Sequence, residues 1–304
     1  MVYSIFTSMK VFSDRWVGSP TLNAYGLHRK RLKTAQAFAS FRRLQTVRVR
    51  SAAEAELRDQ GCVAIENFLP GQDFTALHEE VTRAVANAAA ADPPPPKPEV
   101  WGFGDIERHD WGFDRFDGST LNRFIEPGTL ATALADRRSL KRLSRIVTGR
   151  KHRPGRVLIY QTINGDDCEV PDHQRAFHRD TFFNALKYWF FLDPVRAEDG
   201  PMTYIPESHK LTARRIAWEE ARAEAAVAAR MAGNRTGMTG SFRIAEEEIS
   251  RLGLPPPKAF IVPANTLIVA NVFGFHRRGD AEPGTARLAL YGNHRPQPFI
   301  PFGS

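Results

Sequence analysis

Around residue 156 the chain changes its hydrophobic rhythm. Upstream, apolar positions recur at three- and four-residue spacing and predict helices at 52–60, 74–91 and 129–147. Gly61, the run Pro93–Pro96 and Gly149 are their stop signals. One strand-like run, 62–65, interrupts them, and 101–118 (WGFGDIERHDWGFDRFDG) has no period and reads as a loop. Downstream, short apolar runs at 157–160, 185–192, 202–205, 259–262, 267–270 and 287–291 are bounded by Gly, Pro, Asn or Asp and predict strands. Helices are expected within them only at 217–231 and 245–252. Helices first and many short strands afterwards, without βαβ alternation, predict a mainly-β fold: a jelly-roll core with flanking helices. A G-x-G-x-x-G fingerprint and a P-loop are both missing, which argues against nucleotide-driven chemistry.

Charge divides the chain further. Net charge is +8, yet nine cations and no acid lie between Arg15 and Ala53, so the remainder is close to neutral. Residues 1–50 therefore read as a basic arm, and 51–304 as a single domain with a helical insertion near 211–252. In the arm, Leu32, Ala35, Phe38, Phe41 and Leu44 suggest a basic amphipathic helix. Such a helix either docks on the body or lies on an anionic membrane through residues 15–50. Nucleic acid is disfavoured, because no zinc finger or RNA-binding aromatic motif accompanies the charge. No apolar run approaches the roughly 20 residues of a spanning helix. Two cysteines, Cys62 and Cys168, exclude a disulfide framework. A cytoplasmic location, peripheral to the inner membrane if the arm binds lipid, is the expectation.

The sharpest chemical signal is FHRDTF. On a strand, His178 and Asp180 would point to one face, so an imidazole and a carboxylate converge. A second imidazole would complete a 2-His-1-carboxylate set, which leaves open positions on ferrous iron. His276, 96 residues beyond Asp180 and just after an apolar strand, is the candidate. Arg287, in the apolar strand ARLALY, needs a partner, and a guanidinium can hold a carboxylate bidentately. A rival set of His173, His178 and Asp180 would suggest a zinc hydrolase. The blandest reading makes His178 and Asp180 ordinary satisfied polar groups.

These motifs, in this order, resemble the phytanoyl-CoA dioxygenase-like family of Fe(II)/2-oxoglutarate oxygenases. The resemblance runs over roughly residues 155 to 295 and includes H-x-D, a hydrophobic strand, an acid-Gly turn, IPESHK, and a distal His followed by Arg eleven residues on. It implies a double-stranded β-helix and iron held by His178, Asp180 and His276. It also implies 2-oxoglutarate and O2 as cosubstrates, with Arg287 on the distal carboxylate, and a hydroxylation that yields succinate and CO2. Tyr160, Gln161 and Thr181 are candidates for further contact with 2-oxoglutarate. Glu207 stands where the family usually has glycine. Trp101 and Trp111, with Asp105, Asp110 and Asp114, form either a substrate lid or a plain surface loop.

The substrate is the least constrained part. The basic arm and the text from HRDTF to TARRIAWE resemble bacterial members that hydroxylate Kdo, the sugar acid of lipopolysaccharide. Arg175, Arg179 and Arg278 (with Arg277) flank the expected ligands and are candidates for anionic substrate groups. The alternatives are a hydroxylase of a soluble small molecule or amino acid, and a non-catalytic jelly-roll binding protein.

Overall fold

The computed structural model describes residues 3–46, 48–89, 111–124, 128–151, 157–165, 171–234 and 236–301. A 3-10 turn (Tyr3–Phe6) leads into helices α1 (Pro20–Ala24), α2 (Leu27–Thr46) and α3 (Ala52–Gln60). Strand β1 (Cys62–Ile65), helix α4 (Gly71–Ala89) and the hairpin β2 (Trp111–Phe116) with β3 (Ser119–Phe124) follow. Then come α5 (Thr129–Asp136), α6 (Arg138–Thr148), β4 (Leu158–Asn164), β5 (Leu186–Phe191) and β6 (Met202–Tyr204). The rest is α7 (Ala213–Met231), α8 (Glu246–Arg251), β7 (Lys258–Ala259), β8 (Thr266–Asn271), β9 (His276–Arg278) and β10 (Ala286–His294).

The strands form two sheets. Seven pair antiparallel in the order β1-β8-β5-β10-β4-β3-β2, and three in the order β7-β6-β9. Isolated bridges from His178 to His276 and to Arg243 extend the small sheet. Strand alternation gives the large sheet two distinct faces. Leu186, Tyr188 and Phe190 of β5 join Val63, Ile159, Val269 and Leu290 in a core roofed by α3 to α6. Phe191, Ile268, Ala270 and Ala289 face the small sheet, where Met202, Tyr204 and Phe182 close a second core. The expected mainly-β sandwich with flanking helices is what the chain adopts.

Local differences have physical causes. Residues 111–116, expected as loop, form β2, because Asp117-Gly118 supplies a hairpin turn with Gly118 at φ 74°. The single helix expected at 129–147 breaks at Arg137, whose ψ of 136° is extended. Helix α7, whose Ala, Glu and Arg content by itself suits a solvated face, buries Arg215, Trp218, Glu219, Ala223 and Ala226.

The basic arm, too, is packed on the body. Its buried seam is Leu32, Ala35 and Ala39. Three-residue steps drift round a 3.6-residue helix, so Leu44 ends 85% exposed. Several cations point inward: Arg31 donates to the carbonyls of Ile5, Thr7 and Met9. Arg42 and Arg43 reach Thr148 and Val147 at the C-terminus of α6, the negative end of that helix. Among the described residues no helix is long and apolar enough to cross a membrane.

Glu207 has φ 64°, in the left-handed region that disfavours a side chain, and its pair with Lys210 is exposed. Glu207→Gly is therefore expected to raise stability by about 1 kcal/mol, or roughly 2–4 °C in Tm. Calorimetry showing a lower Tm would refute this.

Candidate active site

The two ligand-bearing segments meet at the edge of the small sheet. His178 and His276 exchange backbone hydrogen bonds of 3.0 Å in both directions, and the Asp180 N–H donates to Val272 O at 2.9 Å. His178 thus lies in isolated bridges rather than a full strand, but the i, i+2 alternation still brings Asp180 to the same spot. His178 Nε2 is 3.6 Å and His276 Nε2 3.9 Å from Asp180 Oδ1, and the three donor atoms lie within 4.8 Å of one another. All three residues are buried.

The donors are prepared as ligands. His178 Nδ1 faces the Ala176 carbonyl at 2.8 Å, and His276 Nδ1 faces that of Gly274 at 3.2 Å. Those nitrogens must carry the protons, which leaves each Nε2 lone pair directed at the centre. Neither Nε2 has a hydrogen-bond partner. Burial lowers His178 to about 3, helped by the neighbouring His276, and lowers His276 to about 4, so both imidazoles are neutral. Burial works to raise Asp180, but the charge of Lys187, with that of Arg295, helps outweigh it and hold the carboxyl well below its usual range. Two orphaned buried nitrogens beside an ionised carboxylate fit a metal and are not what ordinary satisfied polar groups would leave.

The turn before His276 is tightly held. Tyr204 Oη donates to Asn271 O at 2.9 Å, and Phe275 N–H donates to Ser208 Oγ at 2.8 Å. A Cβ on Gly274 would lie 1.9 Å from Tyr204 Oη, so only glycine fits there.

Three cations missed in the sequence surround Asp180. Lys187 Nζ lies 2.5 Å and Arg295 Nη2 3.3 Å from Oδ2, while Lys10 Nζ donates to the Asp180 carbonyl at 2.7 Å. With Oδ2 held by Lys187, Oδ1 is the oxygen left for a metal. Lys187 had a legible signal, a charge at an alternate position in the apolar strand LKYWFF, like Arg287 in ARLALY.

The other expected residues divide. Arg287 stands opposite Thr162, and Tyr160 opposite Ala289, so register places both on the face that carries Lys187. Arg287 Nε has no hydrogen-bond partner, and burial beside Arg278 lowers its guanidinium to about 10. An unpaired guanidinium N–H in that setting suits a carboxylate. Tyr160 stacks on Tyr291 at 4.9 Å. Gln161 is on the opposite face and accepts from Asn122 Nδ2 at 3.1 Å, because neighbours in a strand cannot share a face. Thr181 Oγ1 donates to Phe183 O at 2.6 Å, within its own loop.

Arg278 is bound to Asp172, and Arg175 approaches the same carboxylate at 3.7 Å. Arg277 lies over the Phe177 ring. Arg179 is fully buried behind the ligands on Glu219, away from any substrate. His173 is outside the metal-capable group, whose second imidazole is His276. Trp101, Asp105 and Asp110 fall outside the described residues; Trp111 and Asp114 lie in β2, and their side chains are not described.

Two neutral imidazoles and one carboxylate gathered at one spot are the donor set of a mononuclear non-haem iron oxygenase. The profile of the phytanoyl-CoA dioxygenase (PhyH) family matches residues 57–235, more than half of the chain, and the chain belongs to that family. It is a dioxygenase that takes iron and 2-oxoglutarate. His178 and Asp180 lie inside the match; His276 and Arg287 lie beyond it and are joined to them by the fold. No curated protein matches the chain.

Solved structures with a similar fold include the non-haem α-ketoglutarate-dependent epimerase SnoN from nogalamycin biosynthesis, at 18% identity and TM-score 0.48, covering 81% of this chain and 85% of that one. AviO1 from Streptomyces viridochromogenes is 16% identical at TM-score 0.48, with 83% and 97% covered. EctD from S. alaskensis, with bound 2-oxoglutarate and 5-hydroxyectoine, is 15% identical at TM-score 0.46, with 81% and 76% covered. Likeness at this level says nothing of the present chain's substrate.

Proposed function

We propose that this dioxygenase hydroxylates an acidic substrate, and that the Kdo sugar of lipopolysaccharide or its precursor is the specific candidate. The observation that carries the acidic class is the charge of the pocket. Lys10, Lys187 and Arg295 gather at Asp180, and Arg175, Arg278 and Arg287 lie near Asp172. Six cations against three carboxylates, Asp180, Asp172 and Asp199, leave an excess that bound iron increases and the 2-oxoglutarate dianion offsets only in part. A cleft of that sign attracts anions and repels cations. The Kdo assignment rests on the sequence resemblance and is the narrower part of the proposal.

In this reading His178, Asp180 and His276 hold the iron and Arg287 holds the distal carboxylate of 2-oxoglutarate. Bound there, iron and 2-oxoglutarate supply the oxygen chemistry that couples decarboxylation to succinate with insertion of one oxygen atom into a substrate C–H bond. The chain orients and shields. Backbone carbonyls fix the imidazole tautomers, Lys187 restricts Asp180 to one free oxygen, and Tyr160, Tyr291 and Trp189 form a ring-lined wall that limits water.

The test supplies purified enzyme with Fe(II), 2-oxoglutarate and O2, and compares succinate release with Kdo-containing lipopolysaccharide precursor, a free sugar acid, a neutral sugar and a cationic amino acid. Release should rise with the acidic compounds, with a product heavier by about one oxygen atom. Equal coupling to the neutral sugar would overturn the acidic class. If only the free acid is hydroxylated, and lipopolysaccharide from cells with and without the gene is identical by mass, the Kdo assignment fails and a soluble acid takes its place.

A further inference from the structure

Behind the pocket lies a second cluster of charge that the proposed chemistry does not use. Glu219, on α7, is completely buried, and so are the three groups that touch it. Arg179 forks onto its carboxylate, Nε to Oε1 at 2.6 Å and Nη2 to Oε2 at 2.7 Å. Arg215, one turn away on the same helix, donates to Oε1 from Nε at 3.2 Å and Nη2 at 3.1 Å. His28 of α2 completes the set, its Nε2 3.0 Å from Oε2. Burial keeps that imidazole neutral, so Nε2–H is the donor.

The placement of these cations matters more than their number. Arg179 sits between two ligands, and alternation sends its side chain to the back while His178 and Asp180 face the front. Its third contact, Nη1 to Gly240 O at 2.8 Å, fastens the same segment to the loop before Arg243. Arg215 grips the other segment: Nη2 donates to Phe273 O at 2.9 Å, and Nη1 donates to Ser208 O. Phe273 and Ser208 flank the turn whose Gly274 carbonyl sets the His276 tautomer. One carboxylate is thus the common acceptor for two arginines, each holding one ligand-bearing segment.

We propose that Glu219 is the positioning residue of the metal centre, setting the distance between the His178–Asp180 segment and the His276 turn through Arg179 and Arg215, with His28 bracing it from the N-terminal helix. Stability alone gives a weak reason for such a cluster. A buried ion network is often no better than well-packed hydrophobic residues, and this one places two cations on one anion; what it provides is fixed geometry. Rings cover both guanidiniums, Phe242 at 4.3 Å from Arg179 and Phe275 at 4.0 Å from Arg215, so neither can swing away to solvent. The inference rests on the three-ligand reading of the centre and is independent of the substrate.

The experiment measures metal binding by the full-length metal-free chain, with Co(II) as probe: its affinity by chelator competition and its visible ligand-field spectrum. Glu219→Gln should weaken binding about 10- to 100-fold, the range for groups that orient ligands, and change the spectrum. Arg215→Lys keeps the charge but loses the forked grip on Phe273 and Ser208, and should weaken binding about tenfold. Leu143→Ala, in the helix-roofed core remote from the centre, controls for lost stability and should bind as wild type. Folding of each variant is checked by circular dichroism. Wild-type affinity and spectrum in folded Glu219→Gln, or equal weakening by Leu143→Ala, would overturn the proposal. Should Glu219→Gln not fold, Arg215→Lys decides by the same criteria. Failure of the wild-type chain to bind Co(II) would count against the three-ligand reading instead.

Discussion

Asp180→Ala is expected to reduce succinate formation from 2-oxoglutarate to the background of iron in buffer, and to leave the purified chain without iron after gel filtration. Losing one of three ligands accounts for part of this. The remainder comes from the neighbours: Lys187 and Arg295 both direct their charge at Asp180 Oδ2. Without the carboxylate they face the metal position unopposed, and in a low-dielectric site like charges a few ångströms apart repel strongly. His178→Ala removes a neutral donor and leaves that balance intact, so it should also end turnover but retain more iron than Asp180→Ala. The comparison separates ligand loss from charge loss. Asp180→Asn belongs with alanine in this scheme, because it preserves size and discards charge. Succinate release at the wild-type rate from Asp180→Ala or His178→Ala, with iron and 2-oxoglutarate in excess, would mean that the three residues are not the metal centre.

The ligands were legible in the sequence because their signals are local. H-x-D needs only strand-like alternation to converge, and an arginine inside ARLALY is conspicuous wherever the strand lies. Two features depend on contacts that are not local. Helix α7 carries acids and arginines at four-residue spacing, which by composition is indistinguishable from a solvated face. Only the tertiary packing of Phe12, Phe177 and Phe275 around it turns Arg215 and Glu219 inward. The arm is a similar case. Its cations left docking on the body and an anionic surface both open, and the contacts of Arg31, Arg42 and Arg43 with backbone carbonyls of the chain itself, which no charge count records, favour docking. Gln161 shows the limit of reading neighbours as a group, since a one-residue step in a strand reverses the face. The short strand β9 has three residues, too few for any period to show.

Arg287 carries the second large effect. Its β10 neighbours Leu288 and Leu290 face the helix-roofed core, so alternation directs Arg287 to the pocket side of the large sheet. Arg278, the cation whose charge acts on it, is already held by Asp172 and cannot take its place. A carboxylate bound by the guanidinium fork gains two charge-assisted hydrogen bonds, each worth about 1.5–3 kcal/mol. Losing both should raise the KM for 2-oxoglutarate about 100-fold or more in Arg287→Ala, since each 1.4 kcal/mol is a factor of ten. Arg287→Lys keeps a point charge and loses the fork, so its KM should rise about tenfold. The turnover number at saturating 2-oxoglutarate should fall much less than the KM rises, because the group anchors the end of the cosubstrate remote from the metal. Initial rates against 2-oxoglutarate concentration give both parameters. An unchanged KM in Arg287→Ala would overturn the assignment of the distal carboxylate to Arg287.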